Sequence, residues 1–435
     1  PVFRFLGGCA NCLYRFMHGL FSVAEPFLRS RGPRVLLLSE HSSVPEGNLK
    51  TLQDRMLLRG MDRSCRMRLS FRDVRLRSRH PIPWLKAIFD VARNDVVFID
   101  NFSSLFSVLR PAPGTKLIQV WHAGLGFKNV GWSRFGMPGS PYPASRAHRS
   151  YSTAVAPDAS AIPVYAEAFG MHEADVLPVG LLRAKPLLRA GTSEIRTARD
   201  SVLNWAGERA PVFSEGGSER RLYLFAPTYR GSGKSAAYYD HAAIDWQRLH
   251  DFLGKDSALL VRMHPYVTQS PPIDGLDANI VDVSAYPDVG DLLLAADVLI
   301  TDYSSICYDF ALLRRPILFY TYDEAVYALT RGMHRSTGEG APGKVCASFE
   351  ALIRALEEED YAIERTLALA NSLWAEVEED AAGDAADRLL EAVLGSMVAG
   401  GTDRKTQPPG TEGHRATAWE SATRAEEAQT GSNWS

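Results

Sequence analysis

Short apolar runs alternate with longer stretches of helical periodicity along most of this chain. Val35 to Ser39, Val96 to Ile99 and Lys116 to Val120 are unbroken and β-rich, as strands buried on both faces are, and Val176 to Val179 reads as a late strand of the same unit. A polar stretch holding Pro211 and the pair Gly216-Gly217 then interrupts the pattern. A second series follows, with Leu222 to Ala226, Leu259 to Met263, Asn279 to Val283, Val298 to Ile300 and Ile317 to Tyr320. The alternation predicts an α/β protein of two units: an N-terminal domain over 1–207, a linker over 208–221 and a C-terminal domain over 222–396. Residues 397–435, with Thr402, Pro408, Pro409 and Gly410, lack the apolar content to offset chain entropy and are expected to form a disordered tail.

The segment from Val298 to Ser305 carries the most chemistry. Its apolar run ends in Thr301, Asp302, Tyr303, Ser304 and Ser305, and Ile306, Phe310 and Leu313 then recur at helical spacing until Pro316. Strand, tight turn and helix would place Ser304 and Ser305 on a first helical turn, where unpaired N–H groups favour an anion such as phosphate. Asp and Ser are equally ordinary N-caps, so capping stands beside anion binding as a reading of this turn.

Other strand ends carry residues of the same kind. After Lys116 to Val120 come Trp121, His122, Lys128 and Ser133; after Leu222 to Ala226 come Thr228 and Arg230; after Leu259 to Val261 come Arg262 and His264. Arg offers a fork to phosphate oxygens, Lys a point charge, hydroxyls single donors, and His a donor or a base near neutral pH. In open α/β sheets ligands collect beyond the carboxyl ends of strands. No G-x-x-x-x-G-K-[ST] loop is present and no G-x-G-x-x-G follows the first strand, which argues against the usual ATPases and dehydrogenases.

Composition adds three points. The net charge of −3 gives no global field toward nucleic acid, yet Arg55, Arg59, Arg63, Arg66, Arg68, Arg72, Arg75, Arg77 and Arg79 crowd one segment. That run is either a solvated face or a patch for anionic lipid or a polyanionic substrate. Five scattered cysteines suit a reducing compartment, and Cys9 and Cys12 lack the second pair that a zinc or redox site needs. Leu13, Phe16, Leu20, Phe21 and Val23 form an amphipathic stretch that suits an interfacial helix or core packing, and no window is apolar enough to span a bilayer.

Gln119 to Ser133 (QVWHAGLGFKNVGWS), Ala226 to Arg230 (APTYR), Arg262 to Pro265 (RMHP) and Ile300 to Phe310 (ITDYSSICYDF), with Arg331-Gly332 and Pro342-Gly343 beyond them, resemble the CDP-glycerol glycerophosphotransferase family of teichoic acid synthesis. The resemblance runs from about Val35 to Leu394. It implies a GT-B type fold of two facing Rossmann-like domains with an inter-domain cleft, acceptor on the N-terminal side and donor on the C-terminal side. It also implies phosphoryl transfer in which a hydroxyl of a polyol-phosphate or lipid-linked acceptor attacks the β-phosphorus of CDP-glycerol, or of the less common donor CDP-ribitol, and expels CMP. By the same resemblance His122 is the general base, and His264, Arg262, Ser304 and Ser305 bind the donor pyrophosphate, with His264 counted among the catalytic residues. Thr228, Arg230, Thr301 and Asp309 join the donor side, while Lys128 and Ser133 lie on the acceptor side, Lys128 neutralising the acceptor's terminal phosphate. No cofactor, metal or nucleic acid is implied; the expected place of work is the cytoplasmic face of the membrane, against an anionic surface. Two alternatives share the scaffold: a nucleotide-sugar glycosyltransferase, which would release a nucleoside diphosphate, and a non-catalytic membrane-surface scaffold.

Overall fold

A computed structural model describes residues 2–28, 32–40, 43–71, 81–121, 127–137, 140, 148–182, 184–210, 213, 219–231, 234–276, 279–375 and 384–403. Twelve strands form two six-stranded sheets in which every pairing is parallel. The first sheet comprises β1 (Arg34–Ser39), β2 (Arg66–Phe71), β3 (Val96–Ile99), β4 (Lys116–Gln119), β5 (Thr153–Ala156) and β6 (Val176–Pro178). The second comprises β7 (Arg221–Phe225), β8 (Ser257–Val261), β9 (Ile280–Asp282), β10 (Val298–Thr301), β11 (Ile317–Tyr320) and β12 (Lys344–Cys346). Helices cover both faces, so β3, β10 and β11 are buried throughout, which is why they read as unbroken apolar runs.

Three strands have no such signature. β2 is an edge strand that leaves Arg66 and Arg68 exposed or half-exposed, β12 is an edge of three residues, and β5 is only Thr-Ala-Val-Ala. Their pairing comes from the neighbours already in place.

Strand order positions the site. The second sheet runs β12-β11-β10-β7-β8-β9, so chain direction across the sheet reverses between β7 and β10. Loops leave these two neighbours in opposite directions and open a crevice beyond their carboxyl ends. Residues 226–230 and 302–305 flank that crevice.

Two helices cross the boundaries expected from the sequence. Helix Thr192–Gly207, assigned above to the N-terminal unit, buries Val202 and Ala206 with Leu222, Leu224 and Leu299 of the second sheet. Helix Ala385–Asp403 returns to the first sheet, packing Leu389, Leu390, Val393 and Leu394 on Val35, Leu37, Val96, Phe98 and Ile118. The C-terminal unit therefore gives up its last helix at Ala385, and helix continues to Asp403 where a tail was expected from 397. An apolar stripe at helical spacing needs a sheet face, and this one shares a face of the first sheet with Leu49, Leu52 and Met56 of helix Gly47–Leu58. Polar contacts fix the docking: Arg55 Nε donates to Asp387 Oδ1 at 2.7 Å, Arg59 Nη1 donates to the same oxygen at 3.3 Å, and Arg388 Nη2 donates to Val179 O at 2.7 Å. Burial raises the Asp387 carboxyl, but the Arg55 fork outweighs it and the net pKa lies below the usual range. Two members of the Arg-rich run, half-buried Arg55 and exposed Arg59, are thus engaged in ion pairs within the chain, while Arg72, Arg75, Arg77 and Arg79 lie outside the described residues.

Helix Val2–Leu28 divides its apolar residues between two faces. Tyr14 is buried, its hydroxyl accepting from Ala112 N at 2.8 Å, and Phe21 meets Phe89 edge-on at 5.2 Å. Phe16, Leu20 and Val23 are 58–70% exposed, and the Cys9 and Cys12 thiols are exposed and free. Among the described residues no helix is long and apolar enough to cross a membrane.

Leu390 is 1% exposed at the junction of the returning helix and the first sheet. Leu390→Ala is expected to cost about 2–5 kcal/mol, read as a lower urea midpoint; an unchanged midpoint would mean that this helix does not pack there in solution.

Candidate functional site

The two strand ends at the crevice are tied by one buried guanidinium. Arg230 Nη1 donates to Asp302 Oδ2 at 2.6 Å and to Thr228 O at 2.8 Å, while Nε and Nη2 fork onto Asp323 at 2.9 and 2.7 Å. Asp302 Oδ1 accepts from Thr228 N at 2.8 Å and Tyr303 N at 2.6 Å, and Tyr303 Oη donates to Asp323 Oδ1 at 3.0 Å. The rings of Tyr239, Tyr303, Tyr322 and Tyr327 surround the guanidinium at 5.2–5.4 Å. Two facing carboxylates hold Arg230 charged despite the burial that opposes it, raising its pKa.

This network changes the reading of three residues expected to face the donor. Arg230 turns inward; Thr228 contributes its backbone; the Thr301 hydroxyl donates to Ala226 O at 2.7 Å, joining β10 to the end of β7. All three are struts beneath the crevice.

Above the struts lie the two serines and His264. The helix begins at Ile306 with Ser305 as its N-cap residue and ends at Ala311, one position later and shorter than the apolar spacing predicts. Ile306 N donates to Ser304 Oγ at 3.4 Å, whereas Ser305 Oγ makes no hydrogen bond to the described residues. Asp309 is buried on the same helix. On the neighbouring strand end, His264 Nδ1 accepts from Tyr266 N at 3.1 Å, so a neutral ring carries its proton on Nε2 and is a hydrogen-bond donor rather than a base. Its ring lies 4.6 Å from Tyr229 and 4.8 Å from Tyr266. Arg262 Nη1 donates to Tyr286 O at 2.9 Å and so braces the loop after β9.

The N-terminal domain reaches this site through the loop after β4. Asn129 N donates to Gly332 O at 2.9 Å, His334 N donates to Phe127 O at 2.8 Å, and Lys128 pairs antiparallel with Met333. Phe127 is buried edge-on against Phe319 at 5.7 Å. Gly332 has φ 77°, and a Cβ there would lie 2.5 Å from Met137 Sδ, so the close approach requires glycine. Ser133, placed on the acceptor side by sequence, caps its own turn: its Oγ donates to Val130 O at 2.7 Å and accepts from Val130 N at 3.1 Å. Among the described residues the Lys128 side chain makes no hydrogen bond or ion pair; burial first and Arg331 second lower its pKa to about 8, against an opposing pull from Asp302. The Arg331 guanidinium sits 5.2 Å over the Tyr229 ring. Lys128, Arg331, Tyr229 and His264 are thus linked in turn, each to the next.

His122 and residues 123–126 lie outside the described residues. The strand end that leads to them is held firmly. Trp121 has φ 48°, a left-handed conformation costing a bulky residue about 1–3 kcal/mol. Gln119 Oε1 accepts from Trp121 N at 2.9 Å, Asn48 Nδ2 donates to Trp121 O, and the indole packs 5.2 Å from Phe169. His148, against the same cluster, is lowered to about 4 by burial and stays neutral at pH 7. Sequence reading assigned no role to Tyr229, Asp323 or Arg331. Arg331 stands in sequence only within a matching segment, and no local spacing links Asp323 to Arg230, 93 residues away.

Residues 27–395 match the family described as CDP-Glycerol:Poly(glycerophosphate) glycerophosphotransferase. The chain belongs to this family. It is 33% identical over 380 residues to the teichoic acid ribitol-phosphate polymerase TarL of Staphylococcus aureus (strain NCTC 8325 / PS 47), covering 87% of this chain and 65% of that protein. It is 30% identical over 287 residues to the teichoic acid glycerol-phosphate primase of Bacillus subtilis (strain 168), covering 65% and 70%. The chain therefore spans about two thirds of the length of these curated relatives. The structure of the wall teichoic acid polymerase TagF superposes with a TM-score of 0.63 at 19% identity, covering 93% of this chain and 99% of that one. Its two parallel sheets are thus the two Rossmann-like domains of a GT-B type fold.

Arg230→Ala would strand the buried Asp302 carboxylate and the half-buried Asp323. A loss of about 3–5 kcal/mol is expected, measured by chemical denaturation; a loss below 1 kcal/mol would show that the network is not the brace of the crevice.

Proposed function

We propose that this chain is a polyol-phosphate transferase that moves glycerol phosphate from CDP-glycerol to a hydroxyl of a polyol-phosphate or lipid-linked acceptor. The observation that carries the reading is the pair of hydrogen-bond donors at strand ends of the second sheet, Ser305 Oγ after β10 and His264 Nε2–H after β8, both suited to a pyrophosphate. The acceptor oxygen forms a bond to the β-phosphorus, the bond from that phosphorus to the bridging oxygen breaks, and CMP leaves with the electron pair. His122, at the end of the strained strand, takes the hydroxyl proton. Ser304 and Ser305 hold the pyrophosphate with His264, and Asp309 orients the serine turn. The C-terminal domain would bind donor and the N-terminal domain acceptor. The exposed Phe16, Leu20 and Val23 suit contact with an anionic membrane surface, where a lipid-linked acceptor resides.

Ribitol phosphate is the second reading for the transferred group. The ribitol-phosphate polymerases among the relatives match 80–90% of this chain, against 65–66% for the glycerol-phosphate primases.

Incubation with CDP-glycerol, CDP-ribitol or a UDP-sugar, plus a polyol-phosphate acceptor, should release CMP from one CDP-polyol; release of CDP or UDP would refute the proposal in favour of glycosyl transfer. His264→Ala should raise the donor KM roughly 10–150-fold, the worth of one hydrogen bond to a charged group. His122→Ala should abolish turnover with donor affinity retained, and wild-type rates in it would remove His122 from the chemistry.

A further inference from the structure

The cations at the domain seam exceed what the donor cradle uses. Among the described residues, Arg331 Nε is buried without a hydrogen-bond partner and neither Arg331 nor Lys128 has an ion pair. Asp302 and Asp323 are the nearby acids, and both are committed to Arg230. Lys128 and Arg331 come from different domains and are held together by the backbone pairing of Lys128 with Met333. Burial first and Arg331 second disfavour the Lys128 charge, and a bound anion would offset both.

A cavity of about 230 Å³ is lined by Arg331, but not by Lys128, together with Arg134, Tyr238, Tyr327 and the Arg230–Asp323 ion pair. It is smaller than the roughly 300–1,000 Å³ pockets that enclose drug-sized ligands, and its lining is suited to a phosphate with a short polyol rather than a nucleotide. The planar Arg331 fork fits two phosphate oxygens and Lys128 adds a point charge.

Resting on the transferase reading above, we propose that Arg331 and Arg134, with the Lys128 charge beside Arg331, form a phosphate subsite for the phosphodiester next to the acceptor's attacking hydroxyl. The protein thereby selects phosphate-bearing acceptor ends over neutral ones. The acceptor rather than the donor is assigned because Lys128 and Arg134 follow β4, the strand that leads to His122, whereas Ser305 and His264 follow β10 and β8 of the second sheet. Since the subsite needs both domains, it exists only while the seam is docked.

The test compares wild type, Arg331→Gln, Arg331→Lys and Lys128→Gln. Calorimetric titration with glycerol 3-phosphate, without donor, should give binding that weakens roughly 10–100-fold in either Gln variant and less in Arg331→Lys, which keeps the charge but loses the fork. Binding to wild type should also weaken as the pH rises through about 8 and Lys128 loses its proton. In the transfer assay, Arg331→Gln should raise KM for a glycerol-phosphate-terminated acceptor by a similar factor. KM for the donor, and for the same acceptor as an uncharged methyl phosphotriester, should stay within about twofold. Equal glycerol 3-phosphate binding by all four proteins, or a raised donor KM, would overturn the subsite. Loss of binding in the variants with no CMP released by wild type would support the subsite and refute the transferase reading.

Discussion

The buried guanidinium of Arg230 is the constraint on which the rest of the crevice depends. One cation faces two carboxylates from different loops, Asp302 after β10 and Asp323 after β11, and every oxygen and nitrogen involved has a defined partner. Buried charge is tolerable only with such pairing, and removal of one partner leaves the others exposed to the full desolvation cost. The four surrounding tyrosines exclude water and confine the side chain to one rotamer. The loops after β7, β10 and β11 therefore cannot move independently, and Ser304 and Ser305 are presented on a rigid base.

A second constraint joins the halves. The Phe127–Asn129 backbone pairs with Gly332–His334, and Phe127 enters the core of the second domain. The loop that begins at the end of β4 is thus anchored at both ends, by the Asn48 and Gln119 contacts to Trp121 and by this short ladder. Helix Ala385–Asp403 closes the arrangement from the other side, its Asp387 gripping Arg55 and Arg59. Two separate chain crossings restrain the domains more than a single linker would, while the seam itself remains narrow and rich in like charge.

The pattern of side chains determined the class of fold and nine of its twelve strands by itself, because a strand covered on both faces must be apolar along its whole length and says so locally. It also marked the strand ends where polar chemistry collects, and the motifs at Trp121, Ala226, Arg262 and Ile300 carried the family. Edge strand β2, with its alternating Arg66 and Arg68, and the four-residue β5 had no comparable local signal. The direction of a side chain was likewise not legible: Arg230 and Thr301 have the composition of a phosphate site, yet both are spent internally, since carboxylates that meet them lie far along the chain or their partners are backbone atoms of another strand.

Only the tertiary structure decided which helix covers which sheet and which cations stay unpaired. Helix Ala385–Asp403 has an apolar stripe that any exposed sheet face would accept, and its choice of the first sheet follows from the face it shares there with helix Gly47–Leu58, together with Arg55 and Arg59 nearby. Arg331 and Lys128 are ordinary basic residues 203 positions apart in sequence, and become a site only because backbone pairing across the seam brings them together while the neighbouring acids are occupied. Local chemistry is written in short segments; charge balance depends on every group that folding brings within a few ångströms, and that sum exists only in three dimensions.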